Sequence, residues 1–292
     1  MTFRLAHLSD PHIGPLPKPH WRELMGKRLT GYLNWQRRSS IHNMDVLSAI
    51  VTDIRAQAPD HVAMTGDILN IGLPAEFPVA GDWLATLGNG QQVSFVPGNH
   101  DAYVRSALPH IGKTFSPWMA GDATDRPAFP YLRQRGDLAI IGLTSGVPTA
   151  PFLANGRLGA DQRARFAQIL SDTRGMMRVV MIHHPPHTSG ATPGRGLTDS
   201  RRFERIIREQ GAELIIHGHN HRHSVVYLDG PDGRVPVVGV ASASAVPGTD
   251  RHRAAWHLYE ITRSGSCWQI EGIIRGMTRD SEGVIEINRF SL

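Results

Sequence analysis

With one cysteine in 292 residues, the chain has no partner for an internal disulfide, and Cys267 lies far from every histidine cluster, which also excludes a thiolate zinc site. A reducing compartment fits, and Cys267 reads as a small core residue. No apolar run approaches the length needed to cross a membrane. The stretch Met1 to Asp10 lacks the apolar segment of a signal peptide, so a cytoplasmic location is expected. Ser/Pro/Gly-rich linkers, internal repeats and low-complexity tracts are also missing, which makes residues 1–292 a single expected domain. What the chain has in quantity is histidine: 16 of them, on a net charge of +5 that suits an anionic substrate such as a phosphate.

The elements alternate through most of the chain. Strands are expected at Phe3 to Ser9, His61 to Met64, Val93 to Val96, Leu138 to Leu143, Arg178 to Ile182 and Ala212 to Ile216, each an apolar run. Between them lie helices at Asn43 to Ala56, Glu76 to Leu87, Ala160 to Leu170 and Asp199 to Gln210. After His221 the pattern turns to hairpins: His223 to Leu228 with Val235 to Val240, then Ala254 to Ile261, Trp268 to Ile274 and Val284 to Arg289. An α/β half followed by a β-rich half predicts two sheets packed face to face with helices outside.

Five polar clusters each follow an apolar strand: Asp10-Pro11-His12, Gly66-Asp67, Gly98-Asn99-His100-Asp101, His183-His184-Pro185-Pro186 and Gly218-His219-Asn220-His221. The carboxyl edge of an α/β sheet is where ligands sit. Imidazole nitrogen and carboxylate oxygen suit divalent transition metals, and two ions about 3.5–4 Å apart need one bridging ligand plus two or three more each. Asp10, His12, Asp67, Asn99, His183, His219 and His221 are enough for that arrangement. Asp67, with two carboxylate oxygens, is the natural bridge. The neutral amide of Asn99 leaves the cations electron-poor enough to acidify a water between them. His7, His61 and His217 read instead as hydrogen-bonded core residues.

These motifs resemble the complete signature of the calcineurin-like metallophosphoesterase superfamily, over a stretch from the first strand to residue 221. The resemblance implies a four-layer α/β/β/α sandwich of two mixed sheets and a dinuclear centre of iron, manganese or zinc. It would place one ion on Asp10, His12, Asp67 and His221, and the other on Asp67, Asn99, His183 and His219. His184 stands as an alternative to His183. The implied reaction is attack of a metal-bridging hydroxide on a phosphoester, with His100 protonating the leaving oxygen, Asp101 orienting its imidazole, and Asn99 and His100 touching the substrate. The Leu8-Ser9-Asp10-x-His12 and His183-His184-Pro185-Pro186 forms are most similar to bacterial class III cyclic nucleotide phosphodiesterases and glycerophosphodiesterases. A small phosphodiester of either type is the expected substrate.

The insertion between Gly14 and His42 departs from that pattern. Lys18, Arg22, Lys27, Arg28, Arg37 and Arg38, against the single acid Glu23, are interleaved with Trp21, Leu24, Met25, Leu29, Tyr32, Leu33 and Trp35. Two readings follow. Residues 15–42 lie on an anionic membrane, as peripheral contact by a pyrophosphatase of the lipid-A-pathway type acting on a nucleotide-linked lipid. Otherwise Trp21, Leu24, Met25 and Leu29 form the buried face of a helix at the site's rim or in a homodimer contact. The basic run is short and nothing else forms a stacking platform, so sequence-specific nucleic acid is not an expected partner. The loop Thr188 to Thr198 carries Arg195, placed to pair with a non-bridging phosphate oxygen. A non-catalytic, metal-dependent scaffold would tolerate loss of Asp67 or His100, and both are present.

Overall fold

Apolar strands that do not alternate must be covered on both faces, and the computed structural model, which describes residues 2–38, 40–124, 126–246, 253–265, 267–280 and 282–292, shows how this is done. Numbered in chain order, Thr2–Leu8 (β1), His61–Met64 (β2) and Val93–Phe95 (β3) run parallel. On the other edge of β1, Ala255–Ser264 (β10), Cys267–Met277 (β11) and Val284–Ser291 (β12) add in antiparallel fashion, completing a six-stranded sheet of order β12-β11-β10-β1-β2-β3. The second six-stranded sheet contains Tyr131–Arg135 (β4), Leu138–Gly142 (β5), Met177–Met181 (β6), Leu214–His217 (β7), Ser224–Gly230 (β8) and Gly233–Gly239 (β9). Its order is β4-β5-β6-β7-β9-β8, with β5, β6, β7 and β9 parallel.

As expected, strands and helices alternate as far as β7, and the strands after it follow one another with no helix among the described residues. The late strands build no sheet of their own; β10 closes the open edge of β1, register Thr2 to Thr262 through His7 to His257, and β8 and β9 extend the second sheet. An unpaired edge on the very strand that delivers Asp10 would leave its backbone groups unsatisfied.

Period-two alternation sorts the second sheet's residues. Ile140, Val179 and Ile216 join Leu8, Met64 and Leu258 of the first sheet in one core. Their neighbours Ile141, Val180 and Ile215 turn the other way, onto Phe166 and Phe203 of helices Ala160–Asp172 (α5) and Ser200–Gln210 (α6). Each such fully buried side chain contributes about 1.5–3 kcal/mol. Over the first sheet, Met44–Ala56 (α2) packs against β11 and β12, with Val46, Leu47, Ile50, Val51 and Ile54 buried as their spacing predicts. The Asn43 side chain caps it by accepting from the N–H groups of Asp45 and Val46. Glu76–Leu87 (α3) and Leu108–Met119 (α4) pack on each other, and α4 also covers β3. Cys267 is exposed at the first position of β11, not in the core.

The insertion folds with a register different from the one expected. Its helix, Lys27–Arg38 (α1), is preceded by turns, so Leu24, Tyr32 and Trp35 pack on Leu16, Ile71, Leu73 and Tyr103. Trp21 and Met25 are each 73% exposed and Leu29 and Leu33 are exposed as well, which overturns the stripe Trp21, Leu24, Met25, Leu29 as a face buried within this chain at the site's rim. Lys27 and Arg28 are buried, with the Arg28 guanidinium donating to the carbonyls of Ile71 and Gly72. Those two cations are thus unavailable to a lipid surface, while the Arg38 side chain lies outside the described residues.

Candidate metal centre

The loops that leave β1 and β2 run side by side. The N–H groups of Asp10, His12 and Ile13 donate to the carbonyls of Gly66, Asp67 and Ile68 at 2.9, 3.1 and 3.0 Å. Five of the predicted ligands hold left-handed backbone: Asp10 (φ 53°), His12 (41°), Asp67 (55°), His219 (69°) and His221 (52°). Residues with a side chain adopt this region at a cost of about 1–3 kcal/mol each, and such strain concentrates at functional sites. The motif glycines make room for the crowding. A Cβ on Gly98 would strike Asp67 Oδ1 and the His183 ring, and one on Gly218 would strike Ser9 Oγ and Asp10 Oδ2.

Hydrogen bonds to main-chain carbonyls decide which nitrogen each imidazole offers. His183 Nδ1 donates to the Thr65 carbonyl at 2.7 Å and His12 Nδ1 to the Leu69 carbonyl at 3.0 Å, since a carbonyl only accepts. Each ring then presents Nε2 as a lone pair, the arrangement that orients metal-binding histidines generally. His183 Nε2 lies 3.2 Å from Asp67 Oδ2, 3.2 Å from Asn99 Oδ1 and 3.3 Å from His219 Nδ1. His12 Nε2 lies 3.4 Å from His221 Nε2, which is 3.2 Å from Asp10 Oδ1. Acceptor atoms gathered at hydrogen-bond distance repel one another unless a cation or a proton stands among them, so this donor set fits divalent metals. Among the described residues four groups of side chains could hold an ion, and Asp67 belongs to two of them, with Asp10 and His183 in one and with His12 and His100 in the other; the remaining two are His12, His42 and His221, and His183, His184 and His219.

Electrostatics point the same way. Burial would raise the Asp10 carboxyl, but His221 beside it holds it well below the usual carboxylate range. Burial also opposes ionisation of Asp67, and His183 and His100 outweigh it, holding the carboxyl low. For His183 burial favours the neutral ring, yet the Asp67 carboxylate raises it to about 9, so a proton and a cation compete for the Nε2 lone pair. Burial keeps His12 and His219 well below the ordinary histidine value, as neutral lone-pair donors.

His184 differs from His183 in its partners, with Nδ1 2.8 Å from Ser145 Oγ and Nε2 3.1 Å from the Ala154 carbonyl, yet it also forms with His183 and His219 a buried group able to hold an ion. His7, His61 and His217 are buried and hydrogen-bonded, to Thr65, Ser94 and the Gly218 carbonyl. His42 carried no sequence signal, yet its ring lies 4.5 Å from that of His12 and 5.8 Å from that of His221, held by Ser244 Oγ at 2.7 Å. The cleft over these groups is ≈ 240 Å³, a size for a small ligand, and Arg195 lines its mouth with an exposed side chain.

Asp101 does not orient the His100 imidazole. Its fully buried carboxylate accepts from four main-chain N–H groups, those of Asp67 (2.9 Å), Ile68 (3.0 Å), Leu69 (3.0 Å) and Gly98 (2.7 Å), so both oxygens are occupied with backbone. The Asn70 carbonyl takes the orienting part instead, accepting from His100 Nδ1. Asp101→Asn removes one acceptor oxygen and leaves buried N–H groups unpaired, an expected loss of about 2–4 kcal/mol. Urea denaturation and elemental analysis should show lower stability and lower metal content together. Normal values of both, with a rate defect only on poor leaving groups, would restore Asp101 to the His100 imidazole.

The sequence pattern of the calcineurin-like phosphoesterase family matches residues 3–223. A probable cyclic nucleotide phosphodiesterase of Synechococcus sp. is 28% identical over 270 residues, covering 91% of this chain and 90% of that protein. A glycerophosphodiester phosphodiesterase of Enterobacter lignolyticus is 28% identical over 232 residues, covering 74% of this chain and 70% of the other. In solved structures, a purple acid phosphatase from yellow lupin (Lupinus luteus) seeds superposes with a TM-score of 0.58 at 12% identity, a likeness of fold. That superposition takes in 100% of this chain, which spans about half, 53%, of the lupin chain. With the matched residues running from β1 through the last candidate ligand, the chain belongs to the calcineurin-like phosphoesterase family.

Proposed function

We propose that this protein is a metal-dependent phosphodiesterase acting on a small diester, of the cyclic nucleotide or glycerophosphodiester type. The observation that carries the reading is the convergence on Asp67 of two groups of lone-pair donors in one small cleft. Asp10, His12, Asp67 and His221 would hold one cation, and Asp67, Asn99, His183 and His219 the other, with iron, manganese or zinc suiting the nitrogen and oxygen donors. When bound, such a pair supplies Lewis acidity at the phosphoryl oxygens and an acidified water as nucleophile.

The chain's own groups do the rest. The His100 N–H donates to Asp67 Oδ1 at 2.7 Å, which fixes this residue against the bridging carboxylate. With Nδ1–H on the Asn70 carbonyl, Nε2 is the nitrogen left to carry a proton to the departing alkoxide. Arg195, which lines the cleft, would pair with a non-bridging phosphate oxygen, and Asn99, whose Oδ1 lies 3.2 Å from His183 Nε2, would touch the substrate from the same centre. An intact Asp67 and His100 are more than a binding scaffold requires.

General acid catalysis typically contributes about 10²–10⁴-fold and matters least for an activated leaving group. His100→Asn should keep its metal, lose most of its rate on alkyl or ribose diesters, and lose much less on nitrophenyl diesters. Equal losses on both substrates would remove His100 as the proton donor. In the same assays Asp67→Ala should show depleted metal and no activity, and two tightly held ions in that variant would exclude the bridge.

A second reading, peripheral contact with an anionic membrane by a pyrophosphatase acting on a nucleotide-linked lipid, is favoured by the exposure of Trp21, Met25, Leu29 and Leu33 beside exposed Lys18, Arg22 and Arg37. It requires the protein to sediment with anionic liposomes at low salt and Trp21→Ser with Met25→Ser to abolish this. A parent that stays in the supernatant ends the membrane reading.

A further inference from the structure

The mouth of the cleft is built from parts of the chain that hold none of the proposed ligands. One face of α1 lines it, with Lys27, Gly31, Asn34 and Trp35 at helical spacings i, i+4, i+7 and i+8. Tyr32 stacks on Trp35 at 6.4 Å with planes 12° apart, which steadies the indole. Phe152 lines the same cleft from the loop after β5, 88% exposed and with left-handed backbone, φ 66°. A bulky side chain is an outlier in that region, and at this exposure no core packing accounts for it.

Lys27 ties the two sides together. Only 8% exposed, its ammonium donates to Thr149 Oγ1 at 2.6 Å and to the Leu153 carbonyl at 3.1 Å, and stands 4.4 Å from the centre of the Tyr103 ring. Among the described residues no carboxylate comes within 4.0 Å of it. Arg195 adds a second cation to the same mouth, and among the described residues the only carboxylate lining the cleft is Asp67. Aromatic faces alone would suit either a nucleobase or a quaternary ammonium group. Two cations beside those faces repel the ammonium and leave the uncharged planar ring, attached to an anionic phosphate, as the group that fits.

We infer that Trp35 and Phe152 form a stacking subsite for the planar ring of the substrate, so that the diester is a nucleotidyl one and not a choline- or ethanolamine-bearing glycerophosphodiester. The substrate class, though not the subsite, rests on the phosphodiesterase reading above. Stacking of a base on an aromatic side chain corresponds to about 5- to 150-fold in affinity.

Calorimetry on the full chain with manganese supplies the test, using AMP, phosphocholine and inorganic phosphate as probes. AMP should bind about 5- to 150-fold tighter than phosphate, and phosphocholine no tighter than phosphate. Trp35→Ala and Phe152→Ala should each lose the extra affinity for AMP while binding phosphate as the parent does, and Trp35→Phe should retain most of it. Phe152→Ala changes an exposed position, so misfolding does not confuse the result. If AMP binds the parent no tighter than phosphate, or if both alanine variants weaken AMP and phosphate alike, the subsite is wrong. A parent that binds AMP as expected but hydrolyses neither cyclic AMP nor bis(nitrophenyl) phosphate overturns the phosphodiesterase reading and leaves the subsite standing. Hydrolysis of both with equal affinities for AMP and phosphate overturns the subsite alone.

Discussion

A fully buried carboxylate is costly unless its oxygens are satisfied, and Asp101 satisfies both of them with main-chain N–H groups from the turns that follow β2 and β3. Burial, with the Asp67 carboxylate near, raises it to about 7, against the lowering effect of the main-chain N–H groups that it accepts from. Glu76 repeats the device one turn further on, accepting from the N–H groups of Asn70 (2.6 Å), Leu73 (2.7 Å) and Ile71 (3.3 Å). The segment 67–73 is therefore pinned at both ends by carboxylates that do not line the cleft. Its products are the left-handed Asp67 at one end and the Asn70 carbonyl that receives His100 Nδ1 at the other.

The candidate site was largely legible in the sequence because each of its polar clusters interrupts an apolar run. Such a run ends where its sheet ends; β1, β2 and β3 run parallel in one sheet and β6 and β7 run parallel in the other, and the clusters that follow them meet. Asp10, His12, Asp67, Asn99, His183, His219 and His221 are brought together for that reason. The role of Asp101 was not legible, since adjacency to His100 suggested a partner that the turn directs elsewhere. His42 lay hidden because its approach to His12 depends on Ser244 and on the pairing of His42 with Ala245, two hundred residues downstream. The helix α4 escaped the period because Gly112 and Pro117 interrupt it, and β4 because its buried Arg133 reads as a surface residue until the carbonyls of Ala120 and Pro117 are seen accepting from it.

Non-local pairing accounts for the other departures. Nothing in β10, β11 or β12 states that they continue the sheet of β1; that choice follows from an edge exposed more than two hundred residues earlier. In the insertion the apolar spacing was real but the helix begins only at Lys27, so residues 21–26 follow turn geometry and the stripe extrapolated through them faces outwards.

The proposed metal ligands and the proposed stacking residues thus lie in different parts of the chain. The proposed ligands hang from strands whose cores hold them rigid, and their left-handed backbone tolerates little change. The mouth is made of α1 and of two loops that support each other: the N–H groups of Ala154 and Gly156 donate to the carbonyls of Gly194 and Gly196 at 2.9 and 3.1 Å, and Lys27 joins α1 to the first of them. None of these contacts passes through a strand end. Substitutions in this outer frame can alter the shape and charge met by an incoming diester while Asp67 and its neighbours keep their geometry, which is the condition under which one set of metal-binding loops can serve different phosphoesters.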